Sequence, residues 1–310
     1  MRIVVALGGN ALLKRGEPMT VANLRASVRR AAASLAPLIA DQHGIVITHG
    51  SGPQVGLLAL QAAAGPSEGA YPLDVLDAES EGMIGYLIEQ ELDNVLPSKH
   101  LFATLLTQVL VDRSDPAFNH PTKPIGPVYE KTVAERLALD RGWTIAEDGT
   151  GWRRVVSSPR PLKVLETRVI ELLVAQGVTV ICAGGGGIPV VERLDGSLAG
   201  VEAVIDKDLA SALLARQLGA DRLLLLTDVD GVYLNWGTPT ARAIARAAPT
   251  ALRSDDFAPG AMGPKVEAAI GFVAETGRVA SIGRLEDAIL IVKGAAGTTI
   301  DVSAKGLRFR

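Results

Sequence analysis

The chain has 310 residues, which is enough for a sizeable core and, by length, for two domains of ordinary size. Hydrophobic residues make up 48% and charged residues 21% of the chain, a balance that excludes an intrinsically disordered protein. The formal net charge of −3 argues against a nucleic-acid partner held by bulk electrostatics, and the single cysteine excludes a disulfide framework and a multi-cysteine zinc site.

Short apolar runs rich in β-branched residues alternate with longer segments of helical period, which is typical of βα units around a parallel sheet. In chain order, the predicted strands cover 2–7, 45–48, 101–111, 178–182 and 222–227. Thr20 is the expected cap of a helix over about 21–41. Each strand runs into glycines or polar residues, and ligands collect at such strand ends in open α/β sheets. The predicted fold class is therefore α/β, an open and mostly parallel sheet sandwiched by helices.

Two stretches depart from this rhythm and divide the chain. Residues 115–161 are rich in proline and lack a clear βα pattern, which indicates a small inserted subdomain that protrudes from the sheet. Residues 190–205 are expected to form a hairpin or loop before a new βα series starts. We therefore predict two lobes, an N-terminal domain over 1–205 that carries the insertion and a C-terminal domain over 206–310.

Several familiar motifs and segments are missing from the sequence. There is no Walker P-loop, no dinucleotide fingerprint between a strand and a helix, no nucleophile elbow and no HRD loop. The four histidines show no metal-ligand spacing, and Cys182 in an apolar strand is more readily a structural thiol than a nucleophile. No secretory cleavage pattern follows the apolar N-terminus, and no apolar stretch reaches the ~18 residues of a membrane span. We expect a cytoplasmic protein with no membrane partner and no protein-bound metal.

Two glycine loops follow buried strands in successive units. They consist of Gly8, Gly9 and Asn10, and of Gly50, Ser51 and Gly52. Glycine lets backbone N–H groups approach a ligand closely, and a helix start just beyond adds partial positive charge. The two loops could therefore cradle an oxyanion together; simple tight turns are the alternative.

Lysines are scarce in this chain, with nine against 22 arginines. Lys207 and Lys265 each lie in the first turn of a predicted helix, where a cation opposes the helix dipole unless an anion is bound. We interpret the pair as phosphate ligands, with solvated surface lysines as the alternative. Asp208 could hold the two ammonium groups or simply stabilise its helix. Lys123 lies between two prolines, which suits a residue held over a site and equally a rigid surface loop.

An acidic segment, TDVDGVY at 227–233, follows the strand predicted over 222–227. Its carboxylates could bind a metal ion. Alternatively, the chain could turn around Asp230 and Gly231 beneath a nucleotide base. The spacing leaves both interpretations open.

Taken together, these segments resemble the carbamate kinases of the amino-acid kinase superfamily. The matching strings run from end to end: ALGGNAL at 6–12, THGSGPQVG at 48–56, EGMIGY at 81–86, PTKPIGPVY at 121–129, GWRRVV at 151–156, GGGGIPV at 184–190, GVEAVIDKDLAS at 200–211, LLLLTDVDGVYLNWG at 223–237 and APGAMGPKVEAA at 258–269. Other amino-acid kinases usually carry a lysine two residues before Gly-Gly; here that position is Ala6, as in carbamate kinases.

The resemblance implies the amino-acid kinase fold and the reaction ATP + carbamate ⇌ ADP + carbamoyl phosphate. Because carbamate is already an anion, this chemistry needs no general base, and lysines and backbone N–H groups would stabilise the charge. Family members are homodimers and use Mg²⁺ carried on the nucleotide, so both are expected here.

Site residues follow from the matched motifs. The carbamate and transferred phosphoryl group would be lined by Gly8, Gly9, Asn10, Gly50, Ser51 and Gly52. Lys123 would reach the site from the protruding subdomain. Lys207 and Lys265 would bind the phosphates, and Asp208 would orient these two lysines. Together the four residues form the expected catalytic set. The nucleotide would lie near Asp228, Tyr233, Met262 and Lys265.

The sequence departs from the family pattern at three places. Ser51 stands where Asn is common, Glu81 stands where Gln is common, and VVSSP at 155–159 replaces VVPSP. Rival interpretations are another small-acid kinase on the same fold and a nucleotide-sensing regulator without catalysis; the four catalytic residues disfavour the second. Within the implied chemistry the enzyme could serve either ATP generation or carbamoyl phosphate supply.

Overall fold

The computed structural model describes residues 1–12, 17–64, 71–97, 99–258 and 261–310. The helices in these ranges are α1 (Gly9–Leu12), α2 (Val21–Ala40), α3 (Gly52–Ala64), α4 (Leu73–Val95), α5 (Lys131–Arg141), α6 (Thr167–Ala175), α7 (Lys207–Gln217), α8 (Met262–Thr276) and α9 (Ala288–Val292). The strands are β1 (Arg2–Leu7), β2 (Gly44–His49), β3 (Leu101–Thr104), β4 (Gln108–Val111), β5 (Lys123–Tyr129), β6 (Thr144–Asp148), β7 (Gly151–Val156), β8 (Pro161–Val164), β9 (Val178–Ile181), β10 (Ile188–Glu192), β11 (Leu198–Gly200), β12 (Arg222–Thr227), β13 (Tyr233–Leu234), β14 (Arg242–Ala247), β15 (Val279–Arg284), β16 (Thr298–Ile300) and β17 (Leu307–Phe309).

A large, mostly parallel sheet organises the molecule, as the sequence predicts. Its strand order is β13-β14-β16-β15-β12-β1-β2-β9-β3, with β17 paired to β14. The central strand β1 runs parallel to both β2 and β12. Strands at the centre of a parallel sheet are covered on both faces, which is why β1 reads as an unbroken apolar run. The expected α/β class is confirmed.

Helices cover both faces of this sheet. Val4 and Ala6 of β1 pack into a core formed with α6, α7 and α8, whereas Ile3, Val5 and Leu7 point to a second core formed with α2, α4 and α9. This alternation follows from the two-residue period of a strand. The sheet is therefore the middle layer of a three-layer structure.

Helix α2 shows how local sequence sets an element. The Thr20 hydroxyl accepts a hydrogen bond from the backbone N–H of Asn23 at 3.2 Å, so the predicted cap is present. One face carries Leu24, Val28 and Leu35 into the core. The helix ends at Ala40, one residue before the predicted end.

The strand predicted over 101–111 is wrong as a single element. The chain forms β3 beside β9 in the large sheet and then β4 in a second sheet of order β11-β10-β4-β8. Between them, Leu105 N–H donates to Ile181 O at 2.9 Å and Thr107 N–H donates to a Glu81 carboxylate oxygen at 3.1 Å. The chain thus changes sheets at a buried side chain contributed by α4. No glycine or proline marks the change in the sequence.

The proline-rich segment contains an antiparallel sheet of order β5-β7-β6, with α5 between β5 and β6. The hairpin expected within 190–205 is present as the antiparallel pair β10 and β11. The domain boundary at 205/206 stays a prediction, since β1 from one side pairs directly with β12 from the other. None of the helices in the described ranges has the length and apolarity needed to cross a membrane.

Candidate functional site

The two predicted glycine loops meet at the carboxyl ends of β1 and β2. Gly8 N–H donates to Leu226 O at 2.8 Å, and Gly50 N–H donates to Leu7 O at 3.1 Å. A Cβ atom on Gly50 would lie 3.2 Å from the backbone nitrogen of Gly9 and 3.6 Å from Cε of Lys207. A side chain at position 50 would push against the backbone of Gly9, so glycine lets the two loops and Lys207 approach this closely.

Lys207 and Lys265 share one carboxylate. Lys207 Nζ donates to Asp208 Oδ1 at 2.5 Å, and Lys265 Nζ donates to Asp208 Oδ2 at 3.0 Å. Asp208 is 4% exposed, Lys207 8% and Lys265 9%. The solvated-surface alternative for the lysines is therefore wrong. Asp208 bridges the first turns of α7 and α8, as expected if it orients both ammonium groups.

The pKa values of Asp208, Lys207 and Lys265 show how strongly the charges of the buried array act on one another. Burial raises the pKa of Asp208, but the two ammonium groups outweigh it and hold that pKa well below its usual range. Burial, with the nearby charge of Lys265, lowers the pKa of Lys207 against the opposing effect of Asp208. Burial also lowers the pKa of Lys265. The carboxylates of Asp208, Asp206 and Asp228 outweigh this effect, so the pKa of Lys265 is raised. Two buried ammonium groups at two helix starts, beside backbone N–H groups, favour an anionic ligand.

Lys123 reaches the same array from the antiparallel sheet. It is the first residue of β5, and its Nζ lies 2.5 Å from Asp206 Oδ2. A Cβ atom on Gly56 of α3 would lie 2.0 Å from the Cα of Gly126 in β5, so α3 and β5 touch backbone to backbone. Gly126 has φ +74°, a conformation that favours glycine. This contact brings the lid sheet, as we call β5-β7-β6, over the N-terminus of α7.

Asn10 and Ser51 complete the predicted acceptor loops. Asn10 lies in α1, and its side chain falls outside the described part of the protein. Ser51 is 1% exposed, and its hydroxyl has no hydrogen-bond partner among the described residues. Gly52 begins α3; a Cβ atom there would lie 4.0 Å from Pro124 O. The loop therefore lies directly under the lid sheet.

Behind the loops lies a buried polar cluster that the sequence analysis did not assign to the site. Glu81 accepts hydrogen bonds from Gly184 N–H at 2.8 Å and Thr107 N–H at 3.1 Å. Burial raises the pKa of Glu81 to about 8 and lowers that of His49 to about 4. Burial also raises the pKa of Asp77, and neither Asp77 oxygen has a hydrogen-bond partner among the described residues. The signal available was the i, i+4 pair of acids, Asp77 and Glu81, on the helix face that also carries Leu76, Ile84 and Ile88.

The predicted nucleotide residues are divided between two places. Asp228 follows β12, where it accepts a hydrogen bond from the Thr227 hydroxyl at 3.0 Å and adds to the field on Lys265. Met262 opens α8, three residues before Lys265, and packs against the main core.

Tyr233 has different neighbours. Its hydroxyl donates to Asp230 Oδ1 at 2.8 Å, and its ring lies edge-on to Trp236 at 4.9 Å between centroids. The other Asp230 oxygen accepts from Arg310 at 2.8 Å. Both oxygens of Asp230 are thus bonded to protein, in the segment for which the sequence left a metal site and a turn beneath a nucleotide base as equal alternatives.

Comparison with known proteins gives matches over most or all of the chain. The amino acid kinase family model matches residues 1–283. The carbamate kinase of Haemophilus influenzae is 55% identical over 309 residues, covering 100% of this chain and 99% of that protein. The carbamate kinase of Rhizobium meliloti is 56% identical over 305 residues, covering 98% of this chain and 94% of that protein.

Solved structures agree with the sequence relatives. Carbamate kinase from Giardia lamblia bound to AMP-PNP is 42% identical, with a TM-score of 0.86 over 97% of this chain and 98% of that chain. The same enzyme bound to citric acid gives a TM-score of 0.90 at 41% identity, over 97% of this chain and 98% of that chain. An isopentenyl phosphate kinase, 12% identical with a TM-score of 0.58 over 96% of this chain and 99% of that chain, shares the fold alone.

Proposed function

Since the chain belongs to the amino acid kinase family and, within it, to the carbamate kinases, it is a phosphotransferase, and we propose that it transfers a phosphoryl group reversibly between ATP and carbamate. The observation that carries the proposal is the buried pair Lys207 and Lys265 on the single carboxylate of Asp208, beside two glycine loops. That array supplies positive charge and backbone N–H groups where an anion would lie.

The proposed chemistry is a direct displacement. A carbamate oxygen attacks the γ-phosphorus of ATP, a new P–O bond forms, the bond to the β–γ bridging oxygen breaks, and ADP leaves with that electron pair. Charge spreads over the moving phosphoryl oxygens, so positioning and electrostatic stabilisation supply most of the catalysis. Lys207 and Lys265 would meet these oxygens, and Asp208 would keep both ammonium groups aimed at them.

No proton needs to be removed from carbamate, because the acceptor is already an anion. This supports a mechanism without a general base. The nearest histidine in the chain to the acceptor loops, His49, is buried and its pKa is lowered to about 4, so it stays neutral and is suited to packing beside Gly184. Lys123 would serve the acceptor side, since it reaches the start of α7 from the lid sheet. The lid sheet would also exclude water from carbamoyl phosphate.

The nucleotide would lie along the start of α8, with Asp228, Tyr233 and Met262 nearby. A carbamate kinase from Giardia lamblia bound to AMP-PNP supports ATP and ADP as the nucleotides. The described residues include no group of three or more His, Cys, Asp or Glu side chains that could hold a metal ion. The family resemblance places Mg²⁺ on the nucleotide phosphates, where it would neutralise charge.

A homodimer in the cytoplasm is proposed from the family resemblance. Strand β3 forms one edge of the large sheet, next to α4. Large apolar side chains of β3, of the residues after it and of α4 are exposed, with Leu101 58%, Leu106 53% and Tyr86 52% exposed. A second copy of the chain would cover this surface. Light scattering should then give twice the mass of the chain, and a monomer mass at micromolar concentration would contradict the dimer.

The decisive test is ATP formation from ADP, Mg²⁺ and carbamoyl phosphate by the purified protein. We expect ATP with carbamoyl phosphate and little with acetyl phosphate. The Lys265→Ala variant should lose roughly 10²-fold or more in kcat. Lys305→Ala removes an exposed lysine and is the matched control, with unchanged activity. ATP formation from acetyl phosphate but not carbamoyl phosphate would assign the chain to another acceptor.

A further inference from the structure

Asp206 holds two different parts of the protein at once. Its Oδ1 accepts hydrogen bonds from the backbone N–H groups of Asp208 at 2.9 Å and Leu209 at 3.3 Å, and so caps α7. Its Oδ2 accepts from Lys123 Nζ at 2.5 Å, across 83 positions of sequence. One side chain therefore joins the helix that carries Lys207 to the lid sheet that carries Lys123.

The cap alone does not require an aspartate. Asn, Ser and Thr satisfy the same backbone N–H groups about as well, but they carry no charge. The carboxylate adds one thing that a neutral cap lacks, which is an ionic partner for Lys123 in a partly buried place. The Asp206 side chain is 14% exposed and that of Lys123 is 26% exposed. Charge-assisted hydrogen bonds of this kind are stronger than neutral ones.

Docking on Asp206 leaves the lysine able to bind a ligand. An ammonium group has three N–H donors, and Asp206 Oδ2 takes one of them. Two donors remain for oxygens of an anion at the start of α7. The contact of Gly56 with Gly126 fixes the same sheet from a second point. The orientation of Lys123 is therefore set by the protein itself.

We propose that Asp206 is a positioning residue, which docks Lys123 of the lid sheet at the N-terminus of α7 before an anionic ligand arrives. The consequence for substrate rests on the proposed function: carbamoyl phosphate would meet a lid lysine already in place. If docking were lost, only a fraction of molecules would present Lys123, and the apparent affinity would fall by that fraction.

Hydrogen exchange of the ligand-free protein tests the docking without any reference to catalysis. Asp206→Asn keeps the cap and removes the charge, and Lys123→Met removes the other partner while leaving the cap untouched. Each should speed amide exchange in 123–129 and 151–156 by about tenfold, while exchange in α7 is unchanged. Asp195→Asn, which removes an equal charge from an exposed turn, should change neither.

The double variant shows whether Asp206 and Lys123 stabilise the lid sheet through one shared contact or independently of each other. If Asp206 acts through Lys123, Asp206→Asn with Lys123→Met should exchange no faster in the lid sheet than Lys123→Met alone. Unchanged lid exchange in Lys123→Met, or fully additive effects in the double variant, would overturn the proposal. An Asp206→Asn variant that loosens the whole protein equally would also overturn it, because Asp206 would then act only as a cap.

Steady-state kinetics distinguish a positioning role of Asp206 from a purely structural one, because only the first changes KM for one substrate selectively. Asp206→Asn should raise KM for carbamoyl phosphate by about tenfold and leave KM for ADP within about twofold. An equal rise in both would overturn the positioning role. If the proposed function were wrong, the parent protein would form no ATP from carbamoyl phosphate. The hydrogen-exchange result would still test the docking of Lys123 on Asp206.

Discussion

Glu81 should give this protein a pH-dependent stability that the variant Glu81→Gln lacks. The side chain is 1% exposed, and burial raises its pKa from 4.5 to about 8, against the opposing effect of N–H donors from Thr107 and Gly184. The folded protein therefore keeps a proton that the unfolded chain releases. This contribution to stability is fully present below pH 4.5 and is lost as the pH rises towards about 8.

His49 changes the stability with pH in the opposite direction to Glu81. Burial lowers its pKa from 6.5 to about 4, so the unfolded chain takes up a proton that the folded protein refuses. Stability from this group is present above pH 6.5 and is lost as the pH falls towards about 4. The two effects oppose each other at mildly acid pH. Above pH 6.5 His49 no longer changes the stability with pH, whereas Glu81 still does. Burial also raises the pKa of Asp77, which therefore changes the stability in the same direction as Glu81.

The magnitude follows from one proton. Each pH unit over which folding holds one extra proton changes the free energy of unfolding by about 1.4 kcal/mol. Between pH 6.5 and about 8, Glu81 should therefore lower the stability of the parent by about 2 kcal/mol relative to Glu81→Gln. The variant also loses one backbone hydrogen bond, about 1 kcal/mol at every pH, which offsets the curves without changing their difference in slope.

Urea denaturation followed by circular dichroism at several pH values across this range measures the effect. Glu79→Gln is the matched control, since Glu79 is exposed on the same helix, and its curve should run parallel to that of the parent. Parallel curves for Glu81→Gln and the parent would refute the reasoning, because they would mean that Glu81 is ionised in the folded protein at neutral pH.

The remaining predictions concern the lysine array and the lid. Replacing Lys207 or Lys265 by Ala should cut kcat by roughly 10²-fold or more with the fold intact by circular dichroism; near-normal turnover in both variants would contradict the assignment. Asp208→Asn removes the carboxylate that both buried ammonium groups share, so kcat should fall more than nucleotide affinity and stability should fall by about 3 kcal/mol; a change in stability alone would leave only a helix-start role. Lys123→Ala should weaken use of carbamoyl phosphate far more than ADP binding, and the reverse would move the lid to the nucleotide site. Deleting 116–160 with a short Gly-Ser link should leave a folded protein that binds nucleotide by calorimetry and transfers no phosphoryl group; retained transfer would rule out the lid.

The elements that depend on neighbouring residues were predictable from the sequence. Strands β1 and β12 are continuous apolar runs, because a central parallel strand is buried on both faces. Helix α2 begins after Thr20 because a hydroxyl there satisfies a free backbone N–H group. The unusual position of Lys207 and Lys265 in first helical turns was also visible, since dipole and cap are local features.

The partners of those residues could not be read from local pattern. Spacing left open whether Asp208 held the lysines or only its helix, and the structure decides this because α7 and α8 lie side by side. The break between β3 and β4 depends on Glu81, which arrives from another element and bonds the chain at Thr107.

The sequence by itself determined the class of fold, the glycine-bounded strand ends and, through its resemblance, the family. Only the tertiary structure decided that Lys123 docks on Asp206 and that Glu81 and His49 are buried behind the acceptor loops. The physical reason is the separation along the chain of the residues that interact. Hydrophobic period, caps and turns depend on residues within a few positions, whereas an ion pair across 83 positions, or a pKa set by burial, depends on which strands the sheet brings together.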